Sequence, residues 1–372
     1  MSTGVPGAIA RWLTKHISMM SHSASWKHAR VLFITEPNRI CQSQIFPFHF
    51  FRERLARELG FTFHEISIGE FQKGFSRLQP PFDTIFLQPW FDIEIKRLQC
   101  ILNRIARDNP RARIVFLDSY APLDLRLAQH VDEHIAVYVK KHVFRNRGEY
   151  GKSTRGDTNL VDYYGRLYGL HYPEKTFRVP QGFLDKLVVG PSFATARYML
   201  TTFVRSTQPT SRKREIDLHA RLGGVGKDWY GRMREHATAK ALSIARIRIA
   251  AGGVVSQRKY LAELQSSKIC FSPFGYGEVC WRDYEAVMCG ALLIKPDMGH
   301  VETDPDIFVP FESYVPVRWD FSDLEEKVKH FLKSEKERAA ITHNAHSLIR
   351  SYLTNGGFLR HVRRIIETPN PR

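Results

Sequence analysis

The strongest constraint on the fold is an alternation that runs through the chain twice: a short apolar run, a stretch with helical spacing, then another apolar run. In the first series Arg30-Val31-Leu32-Phe33-Ile34 reads as a buried strand, Thr35 to Gln44 as a loop, and Phe48 to Leu59 as a helix stopped by Gly60. Thr84 to Leu87 and Arg113 to Leu117 read as further strands, with helical spacing from Ile93 to Asp108 between them. Such runs are too short for helices and suit strands buried on both faces. Strands that alternate with helices imply parallel order, because parallel neighbours need a crossover between them.

The second series begins with Ile216 to Ala220 as strand and continues with Trp229 to Ala239 as helix and Arg246 to Ile249 as strand. Ser256 to Gln265 reads as helix, Lys268 to Ser272 as strand, Trp281 to Cys289 as helix and Ala291 to Ile294 as strand. Ser322, three residues before Glu325, has the spacing of a capping box and predicts a helix start. The stretch from Val137 to Thr210 is rich in Tyr, Arg and Gly and reads as mixed helix and loop. At 372 residues the chain exceeds what one hydrophobic core fills. The expected division is an N-terminal segment at 1–24, a Rossmann-like lobe at 25–205, a basic linker at 206–213, a second Rossmann-like lobe at 214–335 and C-terminal helices at 336–372 closing the cleft.

Composition narrows the partners. With 43% hydrophobic and 25% charged residues the chain is a folded protein, and its net charge of +17 calls for an anionic partner. The five cysteines are odd in number and form no Cys-x-x-Cys pair, so they read as buried thiols of a reducing compartment. No apolar run reaches the length of a membrane span. Ile9, Trp12, Leu13, Ile17 and Met20 share one helical face, with Arg11 and Lys15 among the rest, which would suit the surface of an anionic membrane or a docked terminal helix.

The most informative stretch runs from Phe271 to Ile294. A strand enters a loop holding Gly275, Gly277 and Glu278, a short helix carries Arg282 and Glu285, and Gly290 precedes the next strand. Glycines let a backbone approach a ligand, and amides at a helix start favour anions. Arg282 and Glu285 are three apart and share a helix side, placing a cation for a diphosphate beside a carboxylate for ribose hydroxyls. The same spacing also suits a plain surface ion pair.

This stretch resembles the donor-binding segment of GT-B glycosyltransferases, especially exostosin-like and spore-maturation glycosyltransferase-like (family 1-like) C-terminal domains. The similarity extends over roughly 214–360, through Tyr260 to Ser272, Phe311 to Asp320 and the Asn344-Ala345 helix. It implies a GT-B-like α/β fold of two Rossmann-like lobes facing a central cleft. It also implies that Glu285 contacts the donor ribose and that Arg282 neutralises the diphosphate. Many retaining members place two glutamates eight positions apart; here Gly277 lies eight before Glu285 and Glu278 lies seven before, which makes Glu278 a third catalytic candidate, near the sugar, and leaves the stereochemistry open.

Other residues offer supporting roles. Gly223-Gly224-Val225-Gly226-Lys227 could cradle phosphate, with Arg221 and Lys227 as cations, although its spacing is not that of a Walker loop. Asp304-Pro305-Asp306 has the form of a metal-binding pair but reads as a turn, so no metal is required. In the first lobe, where an acceptor would lie, Asp118 at a strand end is the first choice of general base and Glu36 the second. Lys140-Lys141 and Arg145-Arg147, with Tyr138 and Phe144 between, suit an acidic polymer, a membrane or a solvated surface.

The expectation is therefore a cytoplasmic glycosyltransferase, peripheral at the inner membrane face, moving sugar from a nucleoside-diphosphate sugar to a hydroxyl of a glycan or lipid-linked acceptor. It would serve polysaccharide, glycolipid or surface-glycan synthesis. The rivals are an epimerase or hydrolase of nucleotide sugars on the same fold and a basic nucleic-acid-binding protein, which here lacks any recognisable nucleic-acid motif.

Overall fold

A computed structural model of the chain describes residues 30–74, 81–191, 196–209, 213–224 and 226–368. The apolar face expected between Ile9 and Met20 lies outside the described residues.

The first lobe opens with β1 (Arg30–Thr35), α1 (Arg39–Phe50), α2 (Arg52–Leu59), β2 (Thr62–Ser67), β3 (Thr84–Gln88), α3 (Ile95–Asp108) and β4 (Arg113–Asp118). It continues with β5 (Val137–Lys140), β6 (His142–Phe144), α4 (Asn159–Leu167), β7 (Leu187–Val189) and α5 (Arg197–Arg205). Its six-stranded sheet has the order β2-β1-β3-β4-β5-β7 with every pair parallel. Phe33, Phe48, Phe61, Phe63 and Phe86 stack on one face of it, with Phe33 and Phe86 parallel at 4.4 Å.

Several expectations are corrected here. The segment from Thr35 to Gln44 is not all loop, because Asn38 caps α1 by accepting from the Ile40 amide at 2.8 Å. Its buried face carries Cys41, Ser43 and Gln44, which disguised it, and Gln44 satisfies itself on the Asp118 and Val139 carbonyls. The stretch after Val137 contains β5 and β7, not only helix and loop; Lys140, fully buried, interrupts the apolar pattern.

The second lobe comprises β8 (Ile216–His219), α6 (Trp229–Leu242), β9 (Ile249–Ala250), α7 (Gln257–Gln265), β10 (Ser267–Phe271), α8 (Trp281–Met288), β11 (Leu292–Pro296), β12 (Val301–Thr303) and β13 (Val315–Val317). Helices α9 (Leu324–Lys333), α10 (Glu335–Thr354) and α11 (Gly357–Glu367) follow. The five-stranded sheet, β9-β8-β10-β11-β13, is also parallel. Strand β9 is shorter than expected because Arg246 turns left-handed, at φ 62°, before it. The capping box at Ser322 does not form; Asp323 precedes α9 and its carboxylate accepts instead from the Arg318 amide at 2.8 Å.

The lobes are joined more intimately than a linker would require. Strand β6 of the first pairs antiparallel with β12 of the second, and Arg145 adds a bond to the Val301 carbonyl at 3.0 Å. Tyr164 of α4 donates to the Trp319 carbonyl at 3.0 Å within an aromatic cluster that includes Trp229 and Phe274. Helix α11 returns to the first lobe, where Phe358 meets Phe48 and Phe51 and Arg113 donates to the Ile365 carbonyl. One apolar cluster accordingly runs from the first sheet into the second lobe. Among the described residues no helix is long and apolar enough to cross a membrane.

Candidate active site

In both sheets the first strand lies between the next two in sequence order, so the loops leaving β1 and β3, and those leaving β8 and β10, diverge and open a crevice at the carboxyl edge. The crevice of the second lobe lies between the loop after β8, containing Arg221 to Gly224, and the loop after β10, containing Ser272 to Val279.

Two arginines meet there. Arg282 on α8 donates Nη2 to the Arg221 carbonyl at 3.1 Å, but its Nε and Nη1 are buried without a hydrogen-bond partner. Arg234 on α6 is 4% exposed, lies 5.0 Å over the Tyr230 ring, and likewise has Nε and Nη1 unpartnered. Burial first, and then the nearby Arg282 charge, hold the Arg234 pKa below its ordinary value. Buried charges are normally paired, and two together with N–H groups left over and only tyrosines, Tyr260 and Tyr230, as side-chain partners describe a site for an anion. His219 at the end of β8 has neither ring nitrogen hydrogen-bonded; burial and then Arg282 depress its pKa to about 4, so it adds no third charge at neutral pH.

Gly224 permits the close approach of its loop: at φ +134°, a Cβ there would lie 2.9 Å from Arg234 Cγ. The start of α8 differs from the open amide cradle that was expected. Asp283 accepts from the Cys280 amide at 2.9 Å and from Ser272 Oγ at 2.6 Å, and the fully buried Lys295 neutralises it at 3.1 Å. The cations facing the crevice therefore come from side chains.

Glu285 is 9% exposed and accepts from the Tyr198 hydroxyl at 2.6 Å. It makes no ion pair with Arg282, so the surface-pair reading of that spacing does not hold.

The remaining candidates have different fates. Arg221 is not a free cation: both sides of its guanidinium are committed, to Glu263 (2.9 Å at Nη2) and to the Ala251 and Gly253 carbonyls. Lys227 is exposed at the mouth of the loop. Gly275 donates its amide to the Gly277 carbonyl at 3.0 Å. Gly277 serves the lobe interface, since a Cβ there would stand 2.2 Å from the Ala121 carbonyl oxygen.

Asp118 does not fit a general base. It is 3% exposed, and its carboxylate accepts from Lys140 Nζ and the Tyr138 hydroxyl at 2.7 Å each and from the Tyr120 amide at 2.8 Å. Glu36, half-buried just past β1, makes no such bond through its carboxylate among the described residues. Glu278 does not reach an open crevice either. It is fully buried between the lobes, accepting from Asn159 at 2.9 Å with His300 at 3.7 Å and His142 at 3.9 Å. Burial pushes its pKa up, but the two imidazoles and Asn159 outweigh this and hold it low. Asp304 and Asp306 engage Arg364 and Arg145 respectively. Among the described residues no group of three or more His, Cys, Asp or Glu is arranged to hold a metal.

Sequence reasoning missed Arg234, Tyr198, Lys295 and the two histidines around Glu278. Their partners are far away in the chain, and no local spacing announces them. Lys295 alone left a signal, as a charge ending an apolar strand.

The sequence model of the glycosyl transferase-like family matches residues 203–360. No curated protein sequence matches the chain. Among solved structures, an alpha-glucosyltransferase in complex with UDP is similar at TM-score 0.50 and 10% identity, covering 91% of this chain and 100% of that one. An alpha-glucosyltransferase in complex with UDP-glucose and DNA containing an abasic site is similar at 0.50 and 10%, over 91% and 99%. A glycosyltransferase from Rickettsia africae matches at 0.47 and 10%, over 92% and 100%. At these identities the likeness is one of fold.

Proposed function

We propose that the chain is a glycosyltransferase of the GT-B fold, its residues 203–360 matching the glycosyl transferase-like family, and that its second lobe holds the donor. The diphosphate of a nucleoside-diphosphate sugar lies between Arg234 and Arg282, and Glu285, oriented by Tyr198, accepts from the ribose hydroxyls. The observation that carries this reading is the pair of buried guanidinium groups with unused N–H donors at the carboxyl edge of the sheet. Such donors, fixed before the reaction, stabilise the charge that grows on the leaving diphosphate. They supply positive charge from the protein itself, so donor binding proceeds without a metal.

The similar structures contain UDP and UDP-glucose, which makes uridine the first nucleotide to test. Glu36, at the carboxyl end of β1, takes a proton from an acceptor hydroxyl. Five free cysteines and a net charge of +17 support a cytoplasmic enzyme working at the inner face of an anionic membrane on a glycan or lipid-linked acceptor. One of those thiols, Cys100, is exposed, unlike the buried set expected.

A thermal-shift series with UDP, GDP and ADP in the presence of EDTA tests the site. One nucleotide should raise the melting temperature in proportion to the logarithm of its concentration. A protein stabilised by none of them, or only after magnesium is added, would overturn the reading.

A further inference from the structure

We infer that Arg39, reaching across from the first lobe, is the cation that meets the negative charge set free when the donor's glycosyl bond breaks; this rests on the donor site proposed above. Arg39 is the first residue of α1, and its guanidinium lies 4.8 Å over the ring of Trp281, the first residue of α8. The contact therefore joins one lobe to the start of the helix that carries Arg282 and Glu285. Trp281 and Glu285 are four apart and share a side of α8, so Arg39 stands on the Glu285 side of the crevice. Its charge reaches the same spot. Burial and the bond to Glu285 raise the pKa of the Tyr198 hydroxyl, and Arg39 is among the groups that oppose the rise.

Helix stability argues against a cation at this position. A helix start is the end at which the macrodipole repels positive charge, and the first turn of α1 holds no acidic residue to offset Arg39. The side chain is exposed, and among the described residues it makes no ion pair or hydrogen bond. Arg145 and Arg147, further along the junction of the lobes, are by contrast held by Asp306 and Glu302. An aromatic face seats a guanidinium without neutralising it and leaves the N–H groups at its edge available, which a carboxylate does not.

The chemistry of the step supplies the anion. When the bond between the anomeric carbon and the distal phosphate oxygen breaks, its electron pair stays on that oxygen. The departing diphosphate then carries one negative charge more than it did in the donor. Arg234 and Arg282 belong to the second lobe and face the diphosphate before and after the step. Arg39 comes from the opposite lobe, where its charge is still unspent, and is matched to the increment. A fixed cation aimed at charge that develops during the reaction lowers the barrier more than it tightens the ground state.

Calorimetry of the full chain with UDP, UDP-glucose and UMP tests the assignment, because only UDP bears the freed charge on its distal phosphate. Arg39→Ala should bind UDP about tenfold more weakly, the scale of one charge-assisted contact, and the other two within about twofold of the parent. Its melting temperature without ligand should match the parent's, since an exposed cation over a ring adds little to stability. Arg39→Lys keeps the charge and should recover part of the UDP affinity, which a variant with displaced lobes would not. Equal weakening of UDP and UDP-glucose would make Arg39 an ordinary donor contact and overturn the assignment. Unchanged UDP affinity in Arg39→Ala would make it a strut between the lobes, losing the assignment and keeping the donor site. A parent chain that binds none of the three would lose both.

Discussion

Tyr198 donates its hydroxyl to Oε1 of Glu285 across 2.6 Å, so the carboxylate on α8 is aimed by a residue of α5, outside the helix that carries it. Glu285→Gln keeps shape and volume but weakens charge-assisted bonding to a ribose. It should leave the melting temperature nearly unchanged and lower turnover at least about tenfold, or 1.4 kcal/mol. Tyr198→Phe should cost about 1 kcal/mol of donor affinity through lost orientation. Full turnover in Glu285→Gln would make the carboxylate structural.

The two crevice arginines predict opposite effects on stability and binding. Replacing a buried, unpaired charge with an apolar chain is often neutral or stabilising, so Arg234→Met should melt no lower than the parent without ligand. With UDP the variant should lose about 1.5–3 kcal/mol of binding, the worth of a charge-assisted contact. Arg282→Ala should show the same loss. Melting curves with and without UDP check both.

Neighbouring glycines should behave differently. A Cβ at Gly275 would meet nothing closer than 3.5 Å, so Gly275→Ala should be tolerated. At Gly277 it would collide with the Ala121 carbonyl oxygen, and relieving that overlap should cost about 1–3 kcal/mol. Equal denaturation midpoints for the two variants would show that the lobes yield at this contact.

Burial depresses His142, His219 and His346 to about 4 in the fold, against about 6.5 when exposed. Between those values the unfolded chain holds more protons than the folded one. Stability should therefore be complete above about pH 6.5 and fall as the pH drops toward 4, by on the order of 1–2 kcal/mol per histidine at pH 5. His346→Leu, in a site beside Phe203, should flatten the melting profile by its share. An unchanged slope would remove His346 from the effect.

Asp118 separates structure from chemistry. If it serves only Lys140 and Tyr138, Asp118→Asn leaves a buried ammonium without its counter-charge and should destabilise by about 3–5 kcal/mol. A reacting base would instead lose turnover with melting preserved. Glu36→Gln should show that second pattern, measured as turnover and melting on one preparation.

What could be read from the sequence was whatever local pattern dictates. Strands β1, β3 and β4 and the run from β10 to β11 stood out because apolar residues bounded by loops have few alternatives. The start of α1 did not, since its buried face is made of Cys41, Ser43 and Gln44, whose partners lie on other strands. Glu285 could be put forward from its helix and its neighbours, whereas Arg234 could not, because its meaning depends on Arg282 approaching from another helix. Asp118 was chosen for standing at a strand end, and the same position delivers it to Lys140 on the adjacent strand. Pairings of this kind exist only once the sheet has formed.

The ribbon of β6 and β12 carries a consequence for anyone who would take this enzyme apart. One strand of it is encoded before the link at 206–213 and the other after, and α11, encoded last, covers aromatic residues encoded first. Severing the chain at that link would produce two fragments, each with an unpaired strand edge and an uncovered apolar surface. Such fragments should recognise each other and reassemble when made together, and neither should be transplantable alone as a cassette into another transferase.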